Sequence, residues 1–284
     1  PYESYSHCLT HPDHLWMLGT LFNMTPPPFE TARVLELGCG SGGNLIPYAI
    51  NFPKAKLVGV DLSAEHIKEA NDLKDKMGLK NLDFEQCDIT KMSKQTHGTF
   101  DYIICHGVFS WVPDCVRERI LEICRDQLSP NGLALISYNT LPGWNFVRSL
   151  RDMMIYHTKN FTNPAEKITQ ARTLLQFLSE NTVDGTGAYK AVLEQELQIL
   201  NAANDSYIYH DHLEGENKQF YLHEFATMLD QHKLQYVGDV HLNMMNAKNL
   251  GEGAFNILKD IADPIRHEQY LDFVTNRRFR VPAI

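Results

Sequence analysis

The sequence has no long hydrophobic run and no cysteine pair of the kind that binds zinc. No stretch approaches the ~20 apolar residues of a membrane-spanning helix, so we expect no membrane insertion. The six cysteines include no C-x-x-C pair and no finger-like spacing, which disfavours a structural zinc site. Several of them lie in or beside apolar runs, where free cysteine behaves as a small hydrophobe. We therefore predict a reducing, cytoplasmic compartment.

Positive charge is also scarce. Lysine and arginine number 26 against 35 aspartate and glutamate residues, and the formal net charge is −9. General binders of nucleic acid or of anionic membranes are normally basic, so we expect neither as a partner. A local basic cluster, Arg277, Arg278 and Arg280, is predicted to be a solvated helix terminus. The 284 residues allow one large domain or two small ones.

The first half of the sequence alternates strand-like and helix-like segments. The predicted strands are Arg33–Leu37, Lys56–Val60, Leu82–Glu85, Phe100–Cys105 and Leu133–Tyr138, the last after a turn at 130–132. The predicted helices are Asn44–Asn51, Ser63–Met77 with Ser63 as N-cap, and Val116–Leu128. This alternation is typical of a doubly wound, mostly parallel α/β sheet.

After Trp144 helical periodicity dominates. The predicted helices are Phe146–Thr158, one starting at Asn163–Pro164, Gly187–Ala203, Phe220–His232, Gly253–Ala262 and Pro264–Asn276. Asn204–Asn217 is predicted to be a loop and Gln235–Leu242 a strand, and a short apolar stretch follows at Phe279–Ile284.

A glycine-rich turn, VLELGCGSGGN at 34–44, directly follows the first predicted strand. Gly38, Gly40 and Gly43 satisfy the dinucleotide-binding pattern G-x-G-x-x-G. Glu36, with Gly38, Gly40 and Gly42, satisfies the pattern E-x-G-x-G-x-G, which resembles the S-adenosylmethionine turn of class I methyltransferases. Both turns bring backbone N–H groups to an anionic part of the ligand, so the glycines alone leave the two cofactors open.

Other segments decide between the two cofactors. Asp61, 23 residues after Gly38, suits either one, because both patterns place a carboxylate there on ribose hydroxyls. Glu36 belongs to the methyltransferase pattern alone. Cys87–Asp88–Ile89 follow the third strand, where methyltransferases bind the adenine edge, and FDYIICHGVFSWVP (100–113) resembles their fourth strand and active-site turn. No convincing hydride-transfer set is present, so we predict S-adenosyl-L-methionine.

Four motifs extend the resemblance to a particular bacterial family. They are THPDHL (10–15), VLELGCGSGGNLIP (34–47), CHGVFSWVPD (105–114) and SYNTLPGW (137–144). They resemble the rickettsial-type protein lysine methyltransferases that act on outer-membrane proteins. Members of that family carry a methyltransferase regulatory region, which FYLHEF (220–225), LQYVGD (234–239) and YLDFVTNRRFR (270–280) resemble. The resemblance covers nearly the whole chain, although members are often longer.

The resemblance implies a class I methyltransferase (Rossmann-like) sheet, mostly parallel with an antiparallel end, plus a helical insertion. Residues 1–144 form the S-adenosylmethionine-binding half, 145–217 the insertion, and 218–284 the regulatory region, which completes the sheet with Phe279–Ile284 as its last strand. A second, smaller insertion is expected at Met244–Arg278. The alternative is an independent helical domain from about residue 150 onward.

The activity implied by the resemblance is methyl transfer from S-adenosyl-L-methionine to protein lysine side chains, with S-adenosyl-L-homocysteine as product. Two other functions stay open: a methyltransferase for a small molecule, and a non-catalytic regulatory protein that binds the cofactor. The expected cofactor-binding residues are Glu36, Gly38, Cys39, Gly40, Asn44, Asp61, Leu62, Ser63, His66, Cys87, Asp88, Ile89, His106, Gly107 and Val108.

The catalytic candidates are His106, Tyr138 and Asn139, in the turns after the fourth and fifth strands. His106 is expected either to accept the lysine proton or to contact the cofactor, and the alternative is that its ring only shapes the turn. The substrate-channel candidates are Phe109, Trp111 and Tyr5, because aromatic walls suit sulfonium and ammonium cations.

Three further groups of residues have two interpretations each. Trp144 either lines the channel or packs in the core, and packing is favoured. Tyr2, Tyr5 and His11 form either a lid over the cofactor or a frayed terminus. The stretch YHDHLEGE (209–216), with His223 and Glu224, has metal-ligand residue types but no spacing that names a metal. We predict loop and capping roles for it, with a border of the acceptor channel as the alternative.

Overall fold

A mostly parallel sheet organises the larger part of the chain. The structure is a computed structural model and describes residues 4–183 and 185–284. Its strands are β1 (Arg33–Leu37), β2 (Lys56–Asp61), β3 (Leu82–Gln86), β4 (Phe100–Cys105), β5 (Leu128–Ile136), β6 (Tyr138–Asn139), β7 (Gly238–Asp239), β8 (Phe279–Arg280) and β9 (Pro282–Ala283). The main sheet has the order β3-β2-β1-β4-β5-β9-β7, and β6 pairs with β8 in a second sheet. Strands β1 to β5 run parallel and β9 runs antiparallel to β5 and β7, which confirms the predicted fold class.

Helices alternate with these strands and make up most of the second half of the sequence. They are α1 (Pro12–Leu21), α2 (Leu45–Asn51), α3 (Ala64–Lys76), α4 (Lys94–His97), α5 (Asp114–Gln127), α6 (Trp144–Thr158), α7 (Pro164–Asn181), α8 (Ala188–Ala202), α9 (Asp205–Leu213), α10 (Leu222–Gln231), α11 (Glu252–Leu258) and α12 (Pro264–Thr275). The Ser63 hydroxyl accepts a hydrogen bond from the His66 N–H, which confirms the predicted N-cap of α3. Within the described ranges, no helix combines the length and the apolar character needed to cross a bilayer.

Both faces of the main sheet are buried. Val34 packs into the core on one face, whereas its neighbour Leu35 packs into the core on the other. Leu135 and Ile136 divide between the two faces in the same way. Successive side chains of a strand point to opposite faces, so a strand covered on both sides needs a nearly continuous apolar run. This is why β1, β2, β4 and β5 could be predicted from apolar runs, whereas β3 (LDFEQ) alternates buried and exposed side chains before its exposed last residue.

Residues 143–217 form a compact unit of their own. Helices α6 to α9 make up this unit, and its core consists of Leu150, Met154, Ile168, Ala171, Leu175, Leu193, Leu200 and Ile208. The Asn163 side chain accepts hydrogen bonds from the N–H groups of Ala165 and Glu166, which confirms the predicted start of α7. The prediction of a loop at Asn204–Asn217 is wrong, because α9 occupies Asp205–Leu213 with Asn204 as its N-cap.

Two strand predictions near the C-terminal end of the sequence are partly wrong. Only Gly238–Asp239 of the predicted strand Gln235–Leu242 is assigned as β7, although the N–H groups of Val237 and Val240 also bond to the chain beside β9. The segment Phe279–Ile284 divides between two sheets. Phe279–Arg280 pairs with Tyr138–Asn139, so the predicted fifth strand also ends earlier, at Ile136.

Two of the three arginines in the basic cluster are buried, and Arg278 is partly exposed. Arg280 is fully buried and Arg277 nearly so. Arg280 donates from Nε and Nη2 to the two carboxylate oxygens of Asp272, at 2.8 and 2.9 Å. Its Nη1 lies 3.4 Å from Asp239 Oδ2, and its Nη2 lies 3.2 Å from Glu268 Oε2. The prediction of a solvated helix terminus is wrong because three buried carboxylates surround this arginine.

Candidate functional site

The glycine-rich turn forms a sharp connection between β1 and α2. The N–H groups of Gly38 and Cys39 both donate to the Val60 carbonyl, at 2.8 and 3.0 Å, which joins the turn to the end of β2. Gly38 has a φ of 74°. A Cβ at Gly38 would lie 2.5 Å from the Val108 side chain, so a larger residue would separate the turn from the segment after β4. The turn therefore holds the ends of β1, β2 and β4 together.

Asp61 connects two loops through its carboxylate. Its Oδ2 accepts the Gly40 N–H at 2.9 Å, and its Oδ1 accepts the Ser63 N–H at 2.8 Å. The ring of His66 lies close as well, with Nδ1 3.9 Å from Oδ1. Four predicted cofactor residues thus lie together at the carboxyl end of β2, where ligands bind in sheets of this type.

The ends of β2 and β3 form the neighbouring part of the site. The Cys87 N–H donates to the Asp61 carbonyl at 2.9 Å. Asp88 Oδ1 accepts hydrogen bonds from the hydroxyl and the N–H of Thr90, which lower the pKa of this carboxyl. Leu62 is 70% exposed, and Ile89 is partly exposed. An open apolar surface beside a carboxylate suits a planar, polar-edged base.

Glu36 is buried beneath the glycine-rich turn. Burial raises the pKa of its carboxyl to about 8, with a smaller contribution from the Asp61 charge, so Glu36 is protonated at neutral pH. Its Oε1 accepts a hydrogen bond from Asn44 Nδ2 at 2.8 Å. Its Oε2 is buried and has no hydrogen-bond partner among the described residues. This unused oxygen is a polar atom that faces no protein donor.

Residues 4–10 lie against the glycine-rich turn. The Gly43 N–H donates to the Ser4 hydroxyl at 2.8 Å, and a Cβ at Gly43 would lie 2.7 Å from the Tyr5 nitrogen. Asn44 Oδ1 accepts hydrogen bonds from the His7 N–H and from the Thr10 hydroxyl, at 3.1 and 3.2 Å. Ser4 and His7 were not predicted as site residues, because no local sequence pattern marks residues that contact a turn distant in sequence.

The expected lid residues have different positions. Tyr5 belongs to this crossing segment and is 56% exposed, whereas Tyr2 lies outside the described residues. His11 instead packs edge-on against Tyr48, and its Nδ1 lies 2.7 Å from Asp13 Oδ1 at the start of α1. The structure thus brings Tyr5, but not His11, to the glycine-rich turn.

His106 lies at the end of β4, between two other rings. Its ring centroid is 4.4 Å from that of His7 and 5.9 Å from that of Phe279. Burial lowers the pKa of His106 to about 4, and the nearby rings of His7 and His241 contribute. Its Nδ1 is buried without a hydrogen-bond partner in the part of the chain that the structure describes. A neutral imidazole with an unused nitrogen at this position is able to bond to a ligand.

The other predicted residues of the two turns are mostly buried. The Gly107 N–H donates to the Ser137 hydroxyl at 2.8 Å, which fixes the turn after β4. Tyr138 is only 1% exposed, and its ring packs 4.5 Å from that of Phe225 on α10. Phe109 is fully buried against the same ring, and Asn139 is almost fully buried. Helix α10 and the β6–β8 pair cover these side chains, so their placement favours packing roles over contact with a methyl acceptor.

Both tryptophans of the expected channel are at least partly buried. The Trp111 side chain is partly buried, and the backbone N–H of Trp111 donates to the Val108 carbonyl at 2.8 Å. Trp144 begins α6 in the helical unit and is nearly buried, in agreement with the favoured packing interpretation.

The histidine-rich stretch takes part in helix structure. His210 Nδ1 lies 2.9 Å from Asp211 Oδ1 on α9, and His212 is buried in the same helix. Glu224 accepts the Tyr221 N–H and caps α10, while His223 Nδ1 lies 2.9 Å from Gln269 Oε1. These contacts agree with the predicted capping role.

Comparison with known proteins identifies the family. Residues 29–195 match the sequence model of a family described as a methyltransferase domain, and residues 204–282 match that of a predicted methyltransferase regulatory domain. An uncharacterized protein of Rickettsia prowazekii is 50% identical over 284 residues, which are 100% of this chain and 51% of that protein.

A solved structure has the same fold over the whole chain. PKMT2 from Rickettsia typhi, in complex with AdoHcy, is 38% identical with a TM-score of 0.90, and the match covers 100% of this chain and 54% of that one. A trans-aconitate 2-methyltransferase of Deinococcus radiodurans is 34% identical over 110 residues, 39% of each chain. The chain thus spans about half the length of these two rickettsial proteins. It belongs to the class I S-adenosylmethionine-dependent methyltransferases and carries the methyltransferase regulatory domain.

Proposed function

We propose that this protein transfers methyl groups from S-adenosyl-L-methionine to protein lysine side chains. The observation that carries the proposal is the position of His106. Its neutral ring, with a buried and unused Nδ1, follows the strand beside β1, and the adjoining Val108 packs against the first glycine of the cofactor turn. The hydrogen-bond acceptor Nδ1 of His106 and the glycine-rich cofactor turn therefore lie at the same edge of the sheet. The similarity to PKMT2 supports a lysine acceptor.

The residues at this edge suit the cofactor. Asp61, at the end of β2, would accept hydrogen bonds from the ribose hydroxyls. Asp88 and the Ile89 N–H would bind the adenine edge beside the exposed Leu62. The buried Oε2 of Glu36 has no partner among the described residues. It would accept a hydrogen bond from the amino group of the bound cofactor, whose positive charge would favour the ionised carboxylate. When bound, S-adenosylmethionine supplies the electrophilic methyl group.

In the proposed mechanism, the chain's own residues position and desolvate the acceptor amine. A lysine amine must lose its proton before it attacks, and transfer to a partly buried aromatic site lowers its pKa. Neutral His106 accepts a hydrogen bond at Nδ1 and thereby orients the amine lone pair. Because burial holds the pKa of His106 near 4, the ring does not retain the proton at neutral pH, and the proton passes to water.

A small-molecule acceptor is the second candidate. The observation that favours it is the local similarity to trans-aconitate 2-methyltransferase, which is confined to 110 residues. The similarity to PKMT2 extends over the whole chain, including the regulatory domain, and therefore has more weight.

Transfer of a labelled methyl group distinguishes the candidates. The 284-residue chain is incubated with methyl-labelled S-adenosylmethionine and a bacterial outer-membrane protein extract, and label is mapped by mass spectrometry. The matched control is the same extract with its lysines blocked by reductive dimethylation. We expect label on lysines of the first extract and none in the second.

Other results would contradict the lysine proposal. Equal label in the blocked extract would mean a different acceptor side chain. Label only on small molecules, when a metabolite extract replaces the protein extract, would favour the second candidate. Cofactor binding without any transfer would indicate a non-catalytic protein.

A further inference from the structure

Strand β8 brings a residue of the regulatory domain to the candidate active site. It pairs antiparallel with β6, with Phe279 opposite Asn139 and Arg280 opposite Tyr138. Successive side chains of a strand point to opposite faces. Arg280 is accordingly fully buried, while Phe279 is 37% exposed.

Phe279 completes a row of rings from three separate segments of the chain. Its ring is 5.9 Å from that of His106 at an interplanar angle of 81°, and His106 is in turn 4.4 Å from His7. The ring of Tyr5 follows, 4.5 Å from His7. The N-terminal segment, the turn after β4 and the regulatory domain thus each contribute a ring.

The side chain of Arg280 fixes the position of Phe279. Besides its two bonds to Asp272, Arg280 donates to the Glu268 carbonyl at 3.1 Å and to the Tyr236 hydroxyl at 3.2 Å. The next residue, Val281, donates its N–H to Asp239 Oδ2 at 3.2 Å. Both the backbone of β8 and the fully hydrogen-bonded guanidinium of Arg280 hold this strand in place. The ring of the adjacent Phe279 is therefore held in one position.

The row of rings has the chemistry of an amine site. Burial lowers the pKa of both His7 and His106, so both rings are neutral at pH 7 and do not repel an ammonium group. Aromatic faces attract a cation, and the unused Nδ1 of His106 accepts one hydrogen bond from it. An aliphatic chain carrying a terminal amine would lie along the exposed side of this row, where Phe279 and Tyr5 are 37% and 56% exposed.

We infer that Phe279 forms a wall of the pocket that receives the methyl-accepting amine, and that the regulatory domain in this way selects the acceptor. This inference rests on the proposed function. Phe279 lies outside every predicted cofactor contact, so its role concerns the acceptor rather than S-adenosylmethionine.

Substitutions at Phe279 test this role. Phe279→Leu removes the ring but keeps an apolar side chain, whereas Phe279→Trp keeps an aromatic face. The matched control is Phe273→Leu on α12, which removes a ring of 46% exposure in the same domain. Initial methylation rates are measured against increasing concentrations of the outer-membrane protein extract, and the cofactor Kd is measured by calorimetry.

We expect Phe279→Leu to lower kcat/KM for the acceptor about tenfold, as loss of a cation–π contact implies. Its cofactor Kd should stay within about twofold of wild type. Phe279→Trp should recover most of the lost kcat/KM, and Phe273→Leu should retain wild-type kcat/KM. Thermal unfolding of each variant verifies that it folds.

Each contrary result has a distinct meaning. Wild-type kcat/KM in Phe279→Leu, while the wild-type chain methylates lysine, would overturn only the role of Phe279. A matching loss of cofactor affinity in that variant, or an equal defect in Phe279→Trp, would also overturn it. A wild-type chain that labels no lysine would overturn the proposed function itself.

Discussion

Asp61 uses both carboxylate oxygens on backbone N–H groups, one from the glycine-rich turn and one from the start of α3. Asp61→Asn replaces one of these acceptors with an NH2 group, which faces another donor. Since hydrogen bonds to a charged group are worth about 1.5–3 kcal/mol, cofactor affinity should fall ~10- to 100-fold. Titration calorimetry with S-adenosylmethionine measures this change.

The control for this variant is Asp75→Asn. Asp75 is an exposed aspartate near the end of α3, and its Oδ1 lies 3.9 Å from the Lys74 ammonium group. It should bind the cofactor as wild type does. Equal affinities in Asp61→Asn and wild type would remove Asp61 from the cofactor site.

Some residues of the candidate site could be predicted from the sequence and others could not. Gly38, Asp61 and His106 each follow an apolar strand directly, so a local pattern locates them. Ser4, His7 and Phe279 reach the site only through the topology of the chain, and no spacing rule connects them to it. Tyr138 also follows the end of a strand directly, yet its ring packs against Phe225 on α10.

Strand β8 depends on a buried charge cluster. Arg280→Lys keeps the charge but replaces a five-donor fork with a single ammonium, which cannot reach Asp272, Asp239 and Glu268 together. Breaking a buried ion pair costs about 3–5 kcal/mol. We therefore expect Arg280→Lys to lower the free energy of unfolding by a large part of this amount. Urea unfolding measures the loss.

The control for the cluster is Arg266→Lys, at an exposed position on α12. It should change the free energy of unfolding by less than about 0.5 kcal/mol. A similarly small change in Arg280→Lys would show that the cluster contributes little to the stability of β8.

The predicted element boundaries were wrong where a polar residue is buried or where an apolar run is divided between two sheets. In α9, the buried residue four positions after Ile208 is His212. Because histidine is polar, the hydrophobic pattern of the sequence does not show this buried face of the helix. Near β9, Val281 lies between two short strands that belong to different sheets, and a run that looks continuous is divided. Such divisions follow from pairing partners far away in sequence, which local patterns do not contain.

At the scale of the whole molecule, two buried groups give opposite dependences of stability on pH. The folded state raises the pKa of Glu36 from 4.5 to about 8. The contribution of protonated Glu36 to the free energy of unfolding is therefore lost as pH rises through this range. The folded state lowers the pKa of His106 from 6.5 to about 4, so its contribution is lost as pH falls through that range. Of these two groups, only Glu36 still changes its protonation on unfolding above pH 6.5.

We therefore expect the free energy of unfolding to decrease between pH 6.5 and 8, by at most about 1.4 kcal/mol per pH unit from Glu36. Glu36→Gln keeps an acceptor for Asn44 but does not titrate, so this decrease should largely disappear. Glu65→Gln, at an exposed site on α3, should retain it. Denaturant unfolding at several pH values measures the difference, and parallel wild-type and Glu36→Gln curves would contradict the assignment.

The position of β9 has a consequence for aggregation. It covers the outer edge of β5 through reciprocal backbone bonds between Ala134 and Ile284, of 3.0 and 2.8 Å. Without it, the apolar segment Leu133–Ile136 would present unpaired N–H and C=O groups to any other chain. Residues 282–284 thus protect the main sheet from intermolecular strand addition. A fragment that stops before Phe279 would expose this edge of β5 to pairing with other chains.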